Sequence, residues 1–286
     1  MSKSNATTSD HPGAGVRQSD ESPPSAPHVA RKRFGQNFLH DPALIARIIA
    51  AIAPQPTDRL VEIGPGQAAL TEPLLRAAGG LIAIEIDRDL AARLRERFAS
   101  QALTVMESDV LRVDFSALAQ QAGGKLRIVG NLPYNISSPI LFHLLEHADC
   151  IEDQHVMLQK EVVDRMVAPS GSKIYGRLSV MLQARYRLER CLHVPPGAFY
   201  PAPKVDSSVV RMVPLPSDQV LVKDWVVFAA VVMTAFSQRR KMLRNTLAGY
   251  GDAIDWAALG IAPTQRAEEL SVETFAALAN QVSSFA

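Results

Sequence analysis

The chain has 286 residues, 47% of them hydrophobic and 21% charged, with a net charge of +1. That length and composition suit a soluble protein with one large and one small domain. No apolar run approaches the ~18 residues of a membrane span, no export signal opens the chain, and two cysteines without clustered histidines argue against a disulfide framework or a metal site and for a reducing cytoplasm.

Residues 1–30 are rich in Ser, Pro, Gly, Asp and Thr and carry almost no large apolar side chain. Such a segment buries too little surface to offset its ordering entropy and is expected to be a disordered tail. The composition changes at Arg31-Lys32-Arg33-Phe34-Gly35-Gln36-Asn37-Phe38-Leu39, where cations, amides and aromatics crowd together. Asp41 is a good N-cap and Pro42 suits a first helical position. Leu44, Ile45, Ile48, Ile49 and Ile52 then recur at helical spacing.

Arg59 to Ile63 reads as a strand entering the glycine turn Gly64-Pro65-Gly66, followed by a helix with Leu70, Leu74 and Leu75 on one face. A second strand, Leu81 to Asp87, ends in acids, with Glu85 roughly twenty residues beyond the glycines. This β-α-β pattern is the fingerprint of a nucleoside-binding α/β fold. The glycines allow close backbone approach, and the carboxylate accepts ribose hydroxyls. It does not separate NAD from S-adenosylmethionine, because Ala69 in the third glycine position is tolerated by the dinucleotide pattern.

Leu103 to Met106 forms a third strand ending in Glu107-Ser108-Asp109, where Asp109 can accept a bond from the adenine amine. A fourth, Leu126 to Val129, leads into Gly130-Asn131-Leu132-Pro133-Tyr134-Asn135. Here an amide acceptor, a proline that keeps its neighbour extended and a flat ring lie within four residues. They suit a site that holds a planar heterocycle and accepts hydrogen bonds from its exocyclic amine. A plain strand-to-helix turn would use the same residue types.

Helix from Ser137, strand at His155 to Leu158, and helices at Lys160 to Met166 and Gly176 to Ala184 follow. After the strand Tyr186 to Val194, the proline-rich stretch Pro195 to Asp206 is too stiff for a central strand and holds Phe199 and Tyr200 in place. The strand Ser207 to Val213 returns antiparallel, a topology foreign to dinucleotide dehydrogenases. Pro214-Leu215-Pro216 marks a boundary between residues 31–214 and a helical unit, 215–286. Within the latter, Arg239, Arg240, Lys241 and Arg244 gather around a helix start. They fit phosphate binding, and a solvated helix face fits them as well.

With these stretches in hand, the chain resembles the bacterial small-subunit ribosomal RNA adenine dimethyltransferases. The resemblance runs from Arg31 to the C-terminus. It is carried by FGQNFL at Phe34 to Leu39, VEIGPG at Val61 to Gly66, GNLPYNIS at Gly130 to Ser137, LQKEV at Leu158 to Val162, YGRLSV at Tyr175 to Val180, PKVDS at Pro203 to Ser207 and QRRK at Gln238 to Lys241.

The resemblance implies a Rossmann-like class I methyltransferase sheet with an antiparallel last strand and a small helical C-terminal domain. It implies transfer of methyl groups from S-adenosylmethionine to N6 of two adjacent adenines near the 3′ end of 16S rRNA. The substrate is then an immature small subunit, and the enzyme is a metal-free cytoplasmic monomer. By the same resemblance Asn37, Leu39, Gly64, Glu85, Asp109 and Asn131 contact the cofactor. Asn131, Leu132, Pro133 and Tyr134 form the catalytic loop, and Phe199 gives a second face to the base sandwich. Two alternatives stand beside it: a 23S adenine methyltransferase, and an RNA-binding assembly or transcription factor that keeps the fold without its chemistry.

Overall fold

The computed structural model describes residues 36–285. The expected tail, residues 1–30, and the Arg31–Gly35 part of the basic segment lie outside the described residues. In chain order the elements are β1 (Phe38–Leu39), α1 (Pro42–Ile52), β2 (Leu60–Ile63), α2 (Thr71–Ala78), β3 (Leu81–Glu85), α3 (Arg88–Arg97), β4 (Leu103–Glu107), α4 (Phe115–Ala122) and β5 (Leu126–Asn131). Then come α5 (Ser137–Glu146), β6 (Ile151–Gln159), α6 (Lys160–Met166), α7 (Arg177–Gln183), β7 (Tyr186–Val194), β8 (Phe199–Tyr200) and β9 (Ser207–Pro214). Helices α8 (Trp225–Ala235), α9 (Leu243–Thr246) and α10 (Val272–Ser283) complete the chain.

Seven strands form one sheet in the order β4-β3-β2-β5-β6-β9-β7. Strands β2 to β6 pair in parallel, whereas β9 runs antiparallel to both β6 and β7, as expected for the last strand. The parallel strands are apolar on both faces because helices cover both sides. Alternation divides the core accordingly. Val61, Ile63, Ile128, Val156 and Leu158 join one cluster with α4, α5 and α7. Leu60, Val129, Met157 and Val209 face the other way, toward α1 and α2.

Helix α1 starts where its cap chemistry directs. The Asp41 carboxylate accepts from the Ala43 and Leu44 amides at 2.9 and 3.0 Å, and Leu44, Ile48 and Ile52 form its buried stripe. A buried ion network pins β5 to its neighbours: Arg127 donates to both oxygens of Asp153, at 2.9 and 3.0 Å, and to Asp58 at 2.5 Å. Burial opposes the Asp153 charge, but the Arg127 hydrogen bonds prevail and hold its carboxyl below the usual range.

Beyond Pro214 the described residues form helices and turns only. Phe228, Val231, Phe275 and Leu278 share one continuous core cluster with Leu178 and Leu182 of α7, and Phe236 bridges Tyr175 and Phe275 with ring centroids 6.2 and 5.6 Å away.

Candidate active site

The chain runs β2, β3, β4 toward one edge of the sheet and then returns to lay β5 on the other side of β2. At such a reversal the loops leaving adjacent strands diverge, and a crevice opens beyond the strand ends. The cavity found there is lined by Gly64 and Gly66 after β2, Glu85 and Ile86 at the end of β3, Ser108 and Asp109 after β4, and Asn131 to Tyr134 after β5. Gln36 to Leu39 close it from the N-terminal side.

Two glycines are dictated by space. Gly66 has φ +55°, in the left-handed region, and a Cβ there would stand 3.1 Å from the Phe38 ring. At Gly130, opposite Ile63 in the ladder, a Cβ would fall 2.7 Å from the Ile63 carbonyl oxygen. Strands β2 and β5 therefore approach closely where the cavity begins.

Glu85 is 5% exposed. Its carboxylate accepts from the Gly66 amide at 3.2 Å and the Asp87 amide at 2.9 Å, which ties the glycine turn to the end of β3. Burial pushes the carboxyl up, with the two amides pulling the other way. Asp109 caps the short turn after it, accepting from the Leu111 amide at 3.0 Å.

In the segment that follows β5, the Asn131 Nδ2 donates to the Asn37 carbonyl at 3.0 Å. That bond uses the amide nitrogen and leaves Oδ1 with its acceptor capacity. The Leu132 amide donates to the Met157 carbonyl at 3.1 Å, with the Leu132 side chain 1% exposed, so the loop is anchored as it leaves the sheet. Pro133 is extended (φ −63°, ψ 129°), and its carbonyl accepts from the Ile136 amide at 3.2 Å, with a second lone pair remaining. The Tyr134 hydroxyl lies 2.6 Å from the Ser207 Oγ, which fixes the ring. Burial pushes the Tyr134 phenol up, partly countered by that bond.

The cavity thus gathers Asn37, Leu39, Gly64, Glu85, Asp109 and the whole segment Asn131 to Tyr134. Two groups of the expected residues stand elsewhere. Phe199 is 2% exposed and packs in the core with Leu39, Val194 and Val209, so it does not line the cavity; its neighbour Tyr200 is 75% exposed. Arg239, Arg240, Lys241 and Arg244 are exposed, in and beyond the turn that joins α8 to the single turn of α9, where Leu243 and Leu247 supply the buried side. The Arg239 guanidinium donates to the Lys173 carbonyl.

Sequence reasoning missed Glu62. Its side chain lines the cavity, is 2% exposed and accepts from the Thr71 hydroxyl at 2.7 Å. Burial pushes its pKa to about 7, against the Thr71 bond and with the Glu85 charge adding to the rise. An acid inside an otherwise apolar strand, Leu60-Val61-Glu62-Ile63, was the available signal, since a carboxylate is rarely buried without a use or a partner.

Among the described residues, the lining contains Glu62, Glu85 and Asp109 and no Lys, Arg or His. An acidic lining of this kind favours a ligand that carries positive charge. Among the described residues, no group of three or more His, Cys, Asp or Glu could hold a metal ion, and no helix is long and apolar enough to cross a membrane.

The family model for ribosomal RNA adenine dimethylase matches residues 28–284. The chain belongs to that family. Within it, the chain is 59% identical over 248 residues to the ribosomal RNA small subunit methyltransferase A of Bordetella petrii, covering 87% of this chain and 93% of that one. It is 56% identical over 255 residues to the protein of the same name from Aromatoleum aromaticum, covering 89% and 95%. Among solved structures it is similar to a dimethyladenosine transferase from Plasmodium falciparum, with a TM-score of 0.72, 25% identity and coverage of 84% and 95%. It is also similar to the 23S rRNA methyltransferase ErmE, with a TM-score of 0.65, 25% identity and coverage of 86% and 100%. A ribosomal RNA adenine dimethylase is an enzyme built on a Rossmann-like methyltransferase sheet, and the sheet order with its antiparallel last strand is that fold.

Proposed function

We propose that this chain transfers methyl groups from S-adenosylmethionine to N6 of two adjacent adenines near the 3′ end of 16S rRNA. In this reading it acts as a cytoplasmic monomer on an immature small ribosomal subunit, residues 31–214 forming the catalytic unit and 215–286 a helical RNA-binding unit. The observation that supports the choice of cofactor is the acidic lining of the cavity, with carboxyl groups at Glu62, Glu85 and Asp109 and no cation among the described lining residues. S-adenosylmethionine, an adenosine bearing a sulfonium and an ammonium, fits that donor set. Glu85 would take the ribose hydroxyls, Asp109 the adenine amine, and Asn37, Leu39 and Gly64 the remainder of the molecule. The bound cofactor supplies an electrophilic methyl group.

The chain's own residues supply position and hydrogen bonds. Adenine N6 is a poor nucleophile because its lone pair is delocalised into the ring. Asn131 Oδ1 and the Pro133 carbonyl accept the two N–H hydrogen bonds of the unmethylated amine, and one of them accepts the N–H that remains after the first transfer. Each methyl gained replaces one N6 proton, which leaves to water. These hydrogen bonds draw the nitrogen toward tetrahedral geometry and free the lone pair. The Asn37 carbonyl supports this by fixing the Asn131 amide in one orientation. The Tyr134 ring, tethered through Ser207, holds one face of the base. Phe199 would offer the other face only after its ring left the core. Positioning of this kind accounts for most of the rate, and the target base must be unpaired or flipped to enter. The exposed cations at 239–244 supply affinity for the phosphate backbone.

The test uses radiolabelled S-adenosylmethionine with small subunits that lack the modification, followed by nucleoside analysis. Label recovered as N6,N6-dimethyladenosine in 16S RNA is the expected result. Label on 23S RNA alone would move the substrate to the large subunit. No label on either, with subunit binding intact, would make the chain a binding factor on a methyltransferase fold.

A further inference from the structure

The catalytic-loop segment, the N-terminal lip and the proline-rich stretch meet at a two-strand ribbon. Strand β1 pairs antiparallel with β8, Phe38 opposite Tyr200 and Leu39 opposite Phe199, and the His40 amide extends the ladder with a 2.9 Å bond to the Ala198 carbonyl. Directly opposed residues of an antiparallel pair point to the same face, with Cβ atoms about 4.5–5.5 Å apart. Leu39 and Phe199 take the buried face, 6% and 2% exposed, and Leu39 also reaches the cavity lining. Phe38 and Tyr200 take the other. Phe38 lines the cavity and stands against Gly66, and its neighbour Asn37 accepts the bond from Asn131. Tyr200 does not itself line the cavity, but it stands one cross-strand step from Phe38, which does, with 75% of its surface open to solvent.

A large aromatic side chain so exposed gains nothing from the core. Its ring is also too open to enclose the reacting base, from which water must be excluded. It has the properties of a stacking platform at a rim: a flat π surface, fixed by a backbone ladder, beside the entry of a single strand. We propose that Tyr200 stacks the base next to the target, the nucleotide that stays outside while its neighbour occupies the cavity. This rests on the RNA-methylating reading above and adds a residue that positions the strand. With two adjacent target adenines, the outside base on Tyr200 would be the other adenine.

The test compares Tyr200→Ala, Tyr200→Phe and Tyr200→Trp with the wild type on unmodified small subunits. Subunit affinity is measured by filter binding without turnover, kcat and KM by methyl transfer, and S-adenosylmethionine affinity by calorimetry. Loss of the ring should weaken subunit affinity and raise KM about 5- to 150-fold, the range for one base–aromatic stack, while kcat and cofactor affinity stay unchanged. Phe and Trp should restore affinity, because the ring and not the hydroxyl is used. The slope of affinity against salt should be the same in all four proteins, since a stack displaces no counterions. Equal subunit affinity for Tyr200→Ala and wild type would overturn the proposal, as would failure of both Phe and Trp to restore it. Absence of transfer by the wild type would instead overturn the underlying functional reading.

Discussion

Gly130→Ala tests the link between strand spacing and chemistry. The new Cβ would stand 2.7 Å from the Ile63 carbonyl oxygen, 3.1 Å from Leu132 Cδ2 and 3.3 Å from Ile63 Cβ. The first contact is the decisive one, because it is made with a backbone atom of β2 that no rotamer change can move. Relief requires β2 and β5 to shift apart at their C-terminal ends, by at least a few tenths of an ångström to bring the 2.7 Å contact past 3.0 Å. Overpacking of this sort costs about 1–3 kcal/mol, and at this chain length each kcal/mol lowers Tm by roughly 2–4 °C.

The displaced residue next in line is Asn131, whose side-chain Oδ1 the proposed chemistry uses. Since an error of about 1 Å in a reacting group can cost ~100-fold, a shift of a few tenths should lower kcat about three- to tenfold. Thermal unfolding and single-turnover methyl transfer measure the two effects. Gly249→Ala is the control, because a Cβ there meets nothing within 4 Å and should change neither. If Gly130→Ala kept the wild-type Tm and kcat, the close approach of β2 to β5 would not be setting the position of Asn131.

Replacing Asn131 by Ala should abolish methyl transfer and leave S-adenosylmethionine affinity mostly intact, as read by calorimetry; a fully active variant would remove the hydrogen-bond scheme. Neutralising Arg239, Arg240 and Lys241 together should weaken subunit binding and flatten its salt dependence by about 0.7–0.9 in log–log slope for each phosphate these cations neutralise, whereas an unchanged slope returns them to a solvated surface. Glu62→Gln should raise stability above pH 7 and leave it nearly unchanged below pH 4.5, followed by urea unfolding across that range. His155→Leu should remove an acid-side loss of stability, read by the same titration between pH 4 and 6.5.

How much of this is legible in the sequence depends on whether a signal is local. The glycine turn, the acid at the end of β3 and the Asn131 to Tyr134 segment are short-range patterns, and the fold brings all of them to one cavity. The Asp41 cap and the antiparallel return of β9 are readable for the same reason. What is not readable depends on register. Phe199 and Tyr200 are adjacent aromatics, and nothing in their order shows which faces inward. The pairing of β8 with β1, across some 160 residues of chain, buries Phe199 and exposes Tyr200. Glu62 escapes notice because its strand looks like a continuous apolar run. Its depth is set by α2, through Thr71, and not by its immediate neighbours. The cation run suggests the start of a helix, yet Arg239, Arg240 and Lys241 occupy a turn before a helix of only four residues.

The two buried titratable groups have opposite consequences, and together they bear on how the fold tolerates an acidic cavity. Glu62 has its pKa raised from 4.5 to about 7, so between those values the folded state holds the proton more firmly than the unfolded chain, and stability falls as pH rises through the window. The full displacement is worth roughly 3 kcal/mol. His155 is 2% exposed; burial first, with Arg127 and Arg211 adding to it and Asp153 opposing, lowers its pKa from 6.5 to about 4. Here the unfolded chain holds the proton more firmly, so stability rises with pH across its window, by a similar amount. The windows overlap between about pH 4.5 and 6.5, where slopes of about 1.4 kcal/mol per pH unit and opposite sign cancel. For these two groups the wild-type profile is therefore flat there, and each single replacement should expose the other's slope: falling with pH in His155→Leu, rising in Glu62→Gln. Above pH 6.5 only Glu62 continues to act. A cation bound in the cavity would favour its ionised form and offset that loss, so S-adenosylmethionine should stabilise the protein more at pH 8 than at pH 6. A stabilisation independent of pH would place the cofactor's positive charge away from Glu62.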